Sequence, residues 1–471
     1  MVLTERITRK MQRNKIRITV ILCIIAVISI ATSFSIVKKQ SIGLEPVELN
    51  ELTKEEWLKE YRYIWDYLEN NSLVLDTLVN NGYDLELLYK DYEIKVGQCQ
   101  NNAEYYKCLS CFFREFNGFA HLSILDYNFF RYSLEVYSNI ESRAWTNILS
   151  EDSVKSNYEI WNNIIKNVDY KEDNLYTKRE YVTKKSKIDN KADTGNNDIK
   201  EEADITEILK SYDIVLEDKD LSSIKESDIS TYNNKGISVY VSDTENIITM
   251  AIEKDKTAYI KINSFAREYI EPDREVLYEF YNQIKDYDNL IIDIAENTGG
   301  SSYYWYTNIV MPNLKKDLVH TDYILYKITD QNKDFVLETM TETDELLTID
   351  KLDKDIDTSN IPDNILQSAN YFIKSTNQFS KQEPEMFKGK IWTLIGEKVY
   401  SSAETFSMFC KKTGFATLVG QTTGGNGMGG DPVIFALPYS KLIVRYDMSY
   451  GLNPDGTDNL TYGTTPDIKI N

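Results

Sequence analysis

A serine hydroxyl is a weak nucleophile at neutral pH and needs a base within hydrogen-bond reach, most often an imidazole. The chain offers only two histidines, so the search for such a base is short. His320 lies in a polar stretch after Lys315-Lys316-Asp317. His121 follows Asn117-Gly118, where a helical pattern breaks and an alternating run, 122–125, begins. For either one, a solvated or hydrogen-bonded structural role is the ordinary alternative. These local features alone do not decide between them.

Candidate nucleophiles come from turns that follow buried strands. The run 391–395 reads as a strand and 401–413 as a helix with Gly414 at its stop, which puts Ser401 at a strand-to-helix turn. Ser401 with Glu404 fits a helix-capping box. A serine there also sits among unpaired helix amides with its oxygen exposed. A second turn, Asp293-Ile-Ala-Glu-Asn-Thr-Gly-Gly300, ends another buried strand. Gly299 and Gly300 can take positive φ and present amides to an oxyanion, together with the amide of Ser402. An ordinary glycine turn explains the same letters.

Other constellations are weaker. Cys108 and Cys111 share a helical face, and with Cys99 and His121 they admit a metal-site reading of three thiolates and one imidazole. Buried small residues, or one disulfide involving Cys99, are simpler, and neither metal nor organic cofactor is expected. Ser222-Ser-Ile-Lys225 fits the nucleophile pattern of penicillin-recognising enzymes, but it lies in a polar stretch without the partner motifs.

The elements that must position these groups fall into five segments. Residues 1–17 carry six cations against the single acid Glu5, and Ile18 to Val37 is a run of uncharged residues closed by Lys38 and Lys39. Twenty residues at about 1.5 Å each span a bilayer core. The expectation is a basic cytoplasmic tail, 1–17, a transmembrane anchor, 18–37, and everything beyond it extracytoplasmic. A cleaved signal peptide and secretion form the alternative. Residues 40–125 read as a helical region that carries the histidine, with a capping box at Thr53 and Glu56. A helix is expected over 102–116. Residues 126–245 read as a poorly defined insertion, partly disordered, and 168–207 is rich in Lys, Asp, Glu and Asn.

From 246 to 471 strands and helices alternate. A strand over 259–265, a helix capped by Asp273, and a strand over 290–294 make one βαβ unit, and 391–419 makes another, so the fold class is α/β. A hydrophobic share of 42% is enough for a large core and argues against a disordered chain. The net charge of -21 repels phosphate backbones, so no nucleic-acid partner is expected.

Read together, Phe116-Asn-Gly-Phe-Ala-His121, 293–300, Ser401-Ser-Ala-Glu404, 417–425 and Gly463-Thr-Thr-Pro-Asp-Ile468 resemble the ordered motifs of the C-terminal-processing and tricorn-type serine peptidases. The resemblance covers about 246–471 well and about 50–125 loosely. It implies a crotonase-like (ClpP-like) catalytic core and hydrolysis of peptide bonds in a peptide or protein substrate. It assigns Ser401 as nucleophile, His121 as base, Gly299 or Gly300 with Ser402 as oxyanion hole, and Glu404 and Asn297 as structural support. Asn426 stands where the Ser/Lys branch would carry its lysine, which leaves the Ser/His branch. Ala120 precedes the histidine where tricorn-like members have serine, and Ala295 stands in place of a usual arginine. Near the C-terminus only Asp458 offers itself as the group that orients the histidine. Absence of a firm orienting group motivates a second reading, a catalytically inactive peptide-binding ectodomain. The family's frequent PDZ module is not expected here, because 127–245 contains only Gly195 and Gly236.

Overall fold

The structure, a computed structural model, describes residues 51–166, 238–242, 244–253, 256–382, 384–427 and 431–470. The expected tail, the anchor 18–37 and the Ser222–Lys225 pattern lie outside them. No helix among the described residues is long and apolar enough to cross a membrane. Residues from Glu51 onward form one compact unit.

The described residues open with four helices: α1 (Lys54–Asn71), α2 (Val74–Asn80), α3 (Leu85–Val96) and α4 (Asn102–Arg114). The capping box expected at Thr53 forms in full, with Thr53 Oγ1 accepting from the Glu56 amide and Glu56 accepting from that of Thr53. Trp57, Tyr61, Ile64 and Leu68 recur at helical spacing and are buried. Tyr67 stacks on Phe435 at 3.9 Å between ring centroids. Glu60, fully buried in α1, accepts from the amides of Tyr439 and Ser440 (both 2.6 Å) and from the Tyr105 hydroxyl (3.0 Å). A charge with three donors can stay buried, and this one ties the helical region to a hairpin far along the chain.

After α4 comes a 3-10 turn, Phe119–His121, and the two-residue strand β1 (Ser123–Ile124). Three further helices follow: α5 (Tyr127–Asn139), α6 (Arg143–Leu149) and α7 (Asp152–Ile165). The start of the expected insertion is thus ordered. Its polar outer faces hid an apolar stripe in which Phe130, Trp145, Leu149, Val154, Tyr158 and Trp161 are buried.

The core is a seven-stranded sheet, ordered β14-β10-β9-β5-β4-β3-β2. Its members are β2 (Ser238–Val241), β3 (Ile247–Glu253), β4 (Thr257–Ile262), β5 (Asn289–Asp293), β9 (Lys390–Ile395), β10 (Thr417–Gly420) and β14 (Ile468–Lys469). From β14 to β4 the pairs are parallel, and β3 and β2 add antiparallel. Leu290, Ile291 and Ile292 of β5 are all inaccessible, because helices cover both faces of a parallel sheet. Helix α8 (Ile270–Gln283) connects β4 to β5, and α9 (Ser402–Thr413) connects β9 to β10. Asp273 lies inside the first turn of α8 rather than at its cap. It is buried and accepts from Thr244, Asn246 and Tyr304.

Two antiparallel sheets complete the unit. One has the order β13-β6-β8-β7, with β6 (Leu318–Tyr326), β7 (Asp344–Thr348), β8 (Tyr371–Phe379) and β13 (Ser449–Gly451). The other has the order β1-β12-β11, with β11 (Val433–Ala436) and β12 (Ile443–Tyr446). This small sheet joins the helical region to the end of the core.

Candidate active site

Strands β5 and β9 are parallel neighbours, with Asp293 beside Leu394, so the turns that follow them leave the same sheet edge side by side. Gly299 and Gly300 have φ of 105° and 140°. A Cβ on Gly299 would lie 2.9 Å from both the Ser401 Cβ and the Ser402 nitrogen, and one on Gly300 would lie 2.3 Å from the Phe265 carbonyl carbon. Only glycine permits so close an approach to the serine turn.

The two glycine amides differ. That of Gly299 donates to Asn297 Oδ1 at 2.8 Å, so it is not available to an oxyanion. Asn297 is fully buried and its own Nδ2 donates to the Ile262 carbonyl, which fixes the turn on β4. The strand-like bridge between Phe265 and Gly300 is made through the Gly299 carbonyl and the Ser301 amide. Gly300 itself therefore faces the other way, and among the described residues nothing accepts from its amide. This leaves the amides of Gly300 and Ser402 as the candidate oxyanion donors, Ser402 being the first residue of α9.

Ser401 precedes α9 with φ 55° and ψ -125°, a region that non-glycine residues rarely enter, and makes no side-chain cap hydrogen bond. The expected capping box with Glu404 does not form. Such a strained strand-to-helix turn is the kind that a nucleophile elbow makes. Glu404 instead lies fully buried, where Asn459 Nδ2 and Thr464 Oγ1 donate to its Oε1 at 2.7 and 2.6 Å. Burial raises its carboxyl pKa to about 7. It ties the serine helix to the C-terminal segment.

His121 is aimed by an unusual run of backbone. Asn117, Gly118, Ala120 and His121 have φ of 49°, 77°, 51° and 51°. The strain is held by pairing: β1 runs antiparallel to β12 with Ser123 opposite Arg445, and the Asp447 amide donates to the Ala120 carbonyl at 2.8 Å. Continuing that register brings Asp447 opposite His121. Both carboxylate oxygens of Asp447 lie 2.9 Å from His121 Nδ1. The Asp447 side chain is 2% exposed, so its charge is shielded from water. A carboxylate at Nδ1 keeps the proton there and leaves Nε2 as the acceptor.

Asn426 completes the arrangement. Its Nδ2 donates to Asp447 Oδ2 at 2.7 Å and to the Tyr400 hydroxyl at 2.9 Å, and lies 3.0 Å from His121 Nδ1. One amide has two hydrogens, and Nδ1 is already a donor to Asp447, so the carboxylate and the hydroxyl take them. The Tyr400 hydroxyl donates in turn to the Gly118 carbonyl at 3.3 Å, and the Tyr400 ring lies 5.3 Å from the imidazole between centroids. Tyr400 directly precedes Ser401, so this chain of contacts links the histidine turn to the serine turn.

Asp458 does not orient the histidine. Its side chain accepts from the amides of Leu460 and Thr461 and caps the short helix Asn459–Tyr462. Sequence reasoning missed Asp447 because 326 positions separate it from His121 and only the β1–β12 register relates them. Its one local signal is a carboxylate at the end of a strand-like run. Asn426 was noticed only as a missing lysine. His320 belongs elsewhere: its Nε2 lies 3.2 Å from Asp322 Oδ2, and its ring stacks on Phe379. Cys99, Cys108, Cys111 and Cys410 are buried and not in disulfides, and among the described residues no cluster of three metal-ligating side chains occurs.

Comparison with known proteins follows the same outline. Residues 256–470 match the family model Peptidase_S41, peptidase family S41. A search of curated proteins finds no match. Among solved structures, the chain is similar to a candidate peptidase from Parabacteroides merdae, with 14% identity, 89% of this chain and 90% of that one covered, and a TM-score of 0.46. It is also similar to mature CPAF complexed with lactacystin, with 13% identity, 88% and 94% covered and a TM-score of 0.45. A lipoprotein from Streptococcus agalactiae gives 13% identity, 89% and 93% covered and a TM-score of 0.38. Over residues 256–470, within its mixed α/β core, the chain is thus similar to peptidase family S41, a family of serine-type peptidases that act on peptide or protein substrates.

Proposed function

We propose that this protein hydrolyses peptide bonds by acyl transfer, from a crotonase-like core, with Ser401 as nucleophile and His121 as base. The observation that carries the reading is the buried Asp447 at His121 Nδ1, on the turn that Tyr400 links to Ser401. In the first step Ser401 Oγ attacks the scissile carbonyl carbon and His121 Nε2 takes its proton. The amides of Gly300 and Ser402 hold the oxyanion. Collapse of the tetrahedral intermediate breaks the C–N bond, and His121 returns the proton to the leaving amine. Water then attacks the acyl ester, again with His121 as base, and releases the acid and free Ser401. Asp447 stabilises the imidazolium in both halves, and Asn426 holds Asp447.

The inactive-ectodomain reading rested on the want of an orienting group, and Asp447 supplies one. A fluorophosphonate reagent should label Ser401 in the wild type and neither Ser401→Ala nor His121→Ala. Peptide hydrolysis retained in both variants ends the proposal.

We further propose that residues 18–37 anchor the protein with its catalytic part outside the cytoplasm. The support is the charge asymmetry of residues 1–17 and the uncharged run that follows. Protease added to intact cells should degrade the catalytic part. Protection in intact cells with degradation after lysis reverses the orientation, and recovery of a soluble chain lacking residues 1–40 selects the secreted alternative.

A further inference from the structure

We infer that the substrate peptide lies as an added strand along the free edge of β1 and sets a carboxylate against Arg114. This inference rests on the peptidase reading and says where the peptide runs. Among the described residues β1 is the edge strand of its sheet. The Leu125 amide donates to the Ile443 carbonyl of the neighbouring segment at 2.9 Å. Main-chain groups alternate in direction along an antiparallel strand, so the N–H and C=O of Ile124 point away from β12. They face a cavity of ≈ 780 Å³ between β1, α4 and α7, lined by Ile124, Leu122, Phe113, Tyr106, Asn117 and Gly118 among others. Peptide and small-ligand sites fall in roughly this size range, about 300–1,000 Å³.

Two features select a peptide as the occupant. The first is continuity with the catalytic turns: β1 begins two residues after His121, and Gly118, on the cavity wall, accepts from Tyr400 beside Ser401. A strand added here would run alongside the segment that leads to the histidine turn. The second is charge. Arg114 and Lys166 line the cavity, and among its described lining residues the single acid is Asp126, whose carboxylate caps the Phe129 amide at 2.8 Å. Arg114 is steadied by the Cys111 sulfur at 2.9 Å. In a chain of net charge -21 this cationic wall is a local exception that attracts a carboxylate. Main-chain pairing gives affinity for any extended peptide, and the cations choose among them.

The test uses the full chain in detergent and internally quenched peptides in matched sets: one internal Glu or Gln, a terminal carboxylate or amide, and single N-methyl groups along the backbone. Arg114→Glu should raise KM roughly tenfold for carboxylate-bearing peptides, with kcat moving less, and leave the matched neutral peptides unaffected. The Glu/Gln and acid/amide pairs show which carboxylate is read. N-methylation should weaken the substrate at alternate residues only. Equal KM values across the charge pairs, or N-methyl effects without alternation, overturn the inference. Fluorophosphonate labelling of Ser401 reports separately on the chemistry. Should no peptide be turned over, p-benzoylphenylalanine at position 127 in the Ser401→Ala chain still reads occupancy. Capture of the quenched peptide supports the strand, whereas capture of residues 167–237 of the same chain, or of nothing, overturns it.

Discussion

The two halves of the candidate site are built in opposite ways. The serine half is local: β9, its turn and α9 are continuous in the chain, and the glycine turn lies beside them because β5 and β9 are parallel neighbours. The histidine half is made at long range, from a turn in the helical region and a strand end 326 positions later. A local half can be read from letters and tolerates change elsewhere. The long-range half depends on one register.

Substitutions in the two halves should separate this way. Ser401→Ala and His121→Ala each remove a reacting group, and both should cost on the order of 10⁴–10⁶ in kcat. Asp447→Asn leaves the shape but allows the wrong imidazole tautomer, so a loss of roughly 10³–10⁴ is expected, against at most a few-fold for Asp458→Asn. Equal losses in the two would remove the orienting role given to Asp447. Asp458→Asn should lower the melting temperature slightly, because an amide remains an adequate cap. Asn426→Ala should fall between, with roughly 10–100-fold lost from kcat and little change in KM, since it acts on Asp447 and not on substrate.

The smallest effect sharpens the serine half. Glu404 has its pKa raised by burial from 4.5 to about 7. The native state therefore binds the extra proton, and the stability this adds is fully present below pH about 4.5 and is lost as pH rises through about 7. Glu404→Gln keeps an acceptor for Asn459 and Thr464 and has no proton to lose. Its melting temperature should vary less than that of the wild type between pH 5 and 8. A parallel pair of curves would place the titration elsewhere.

The legibility of the sequence follows the same division. The βαβ units around Leu290–Ile294 and Ile391–Val419 were readable because hydrophobic periodicity and the stop at Gly414 are local. The capping box read into Ser401 and Glu404 failed because the spacing says nothing of φ, and Ser401, with φ 55°, makes no side-chain cap hydrogen bond. A second miss was Gly299: a glycine in a turn signals freedom, but only the Asn297 contact shows which amide is already engaged. Residues 126–245 read as a poorly defined insertion because the exposed faces of the helices over 127–165 dominate the composition there. Asp447 had no signal beyond its place after a strand, since registers between distant strands leave no mark in spacing.

The pairing of β1 with β12 also sets an order of assembly. The histidine turn meets its carboxylate only after a segment 326 positions further along has been joined to it. A product truncated before Asp447 keeps Ser401, its glycine turn and α9, yet lacks the carboxylate opposite the imidazole.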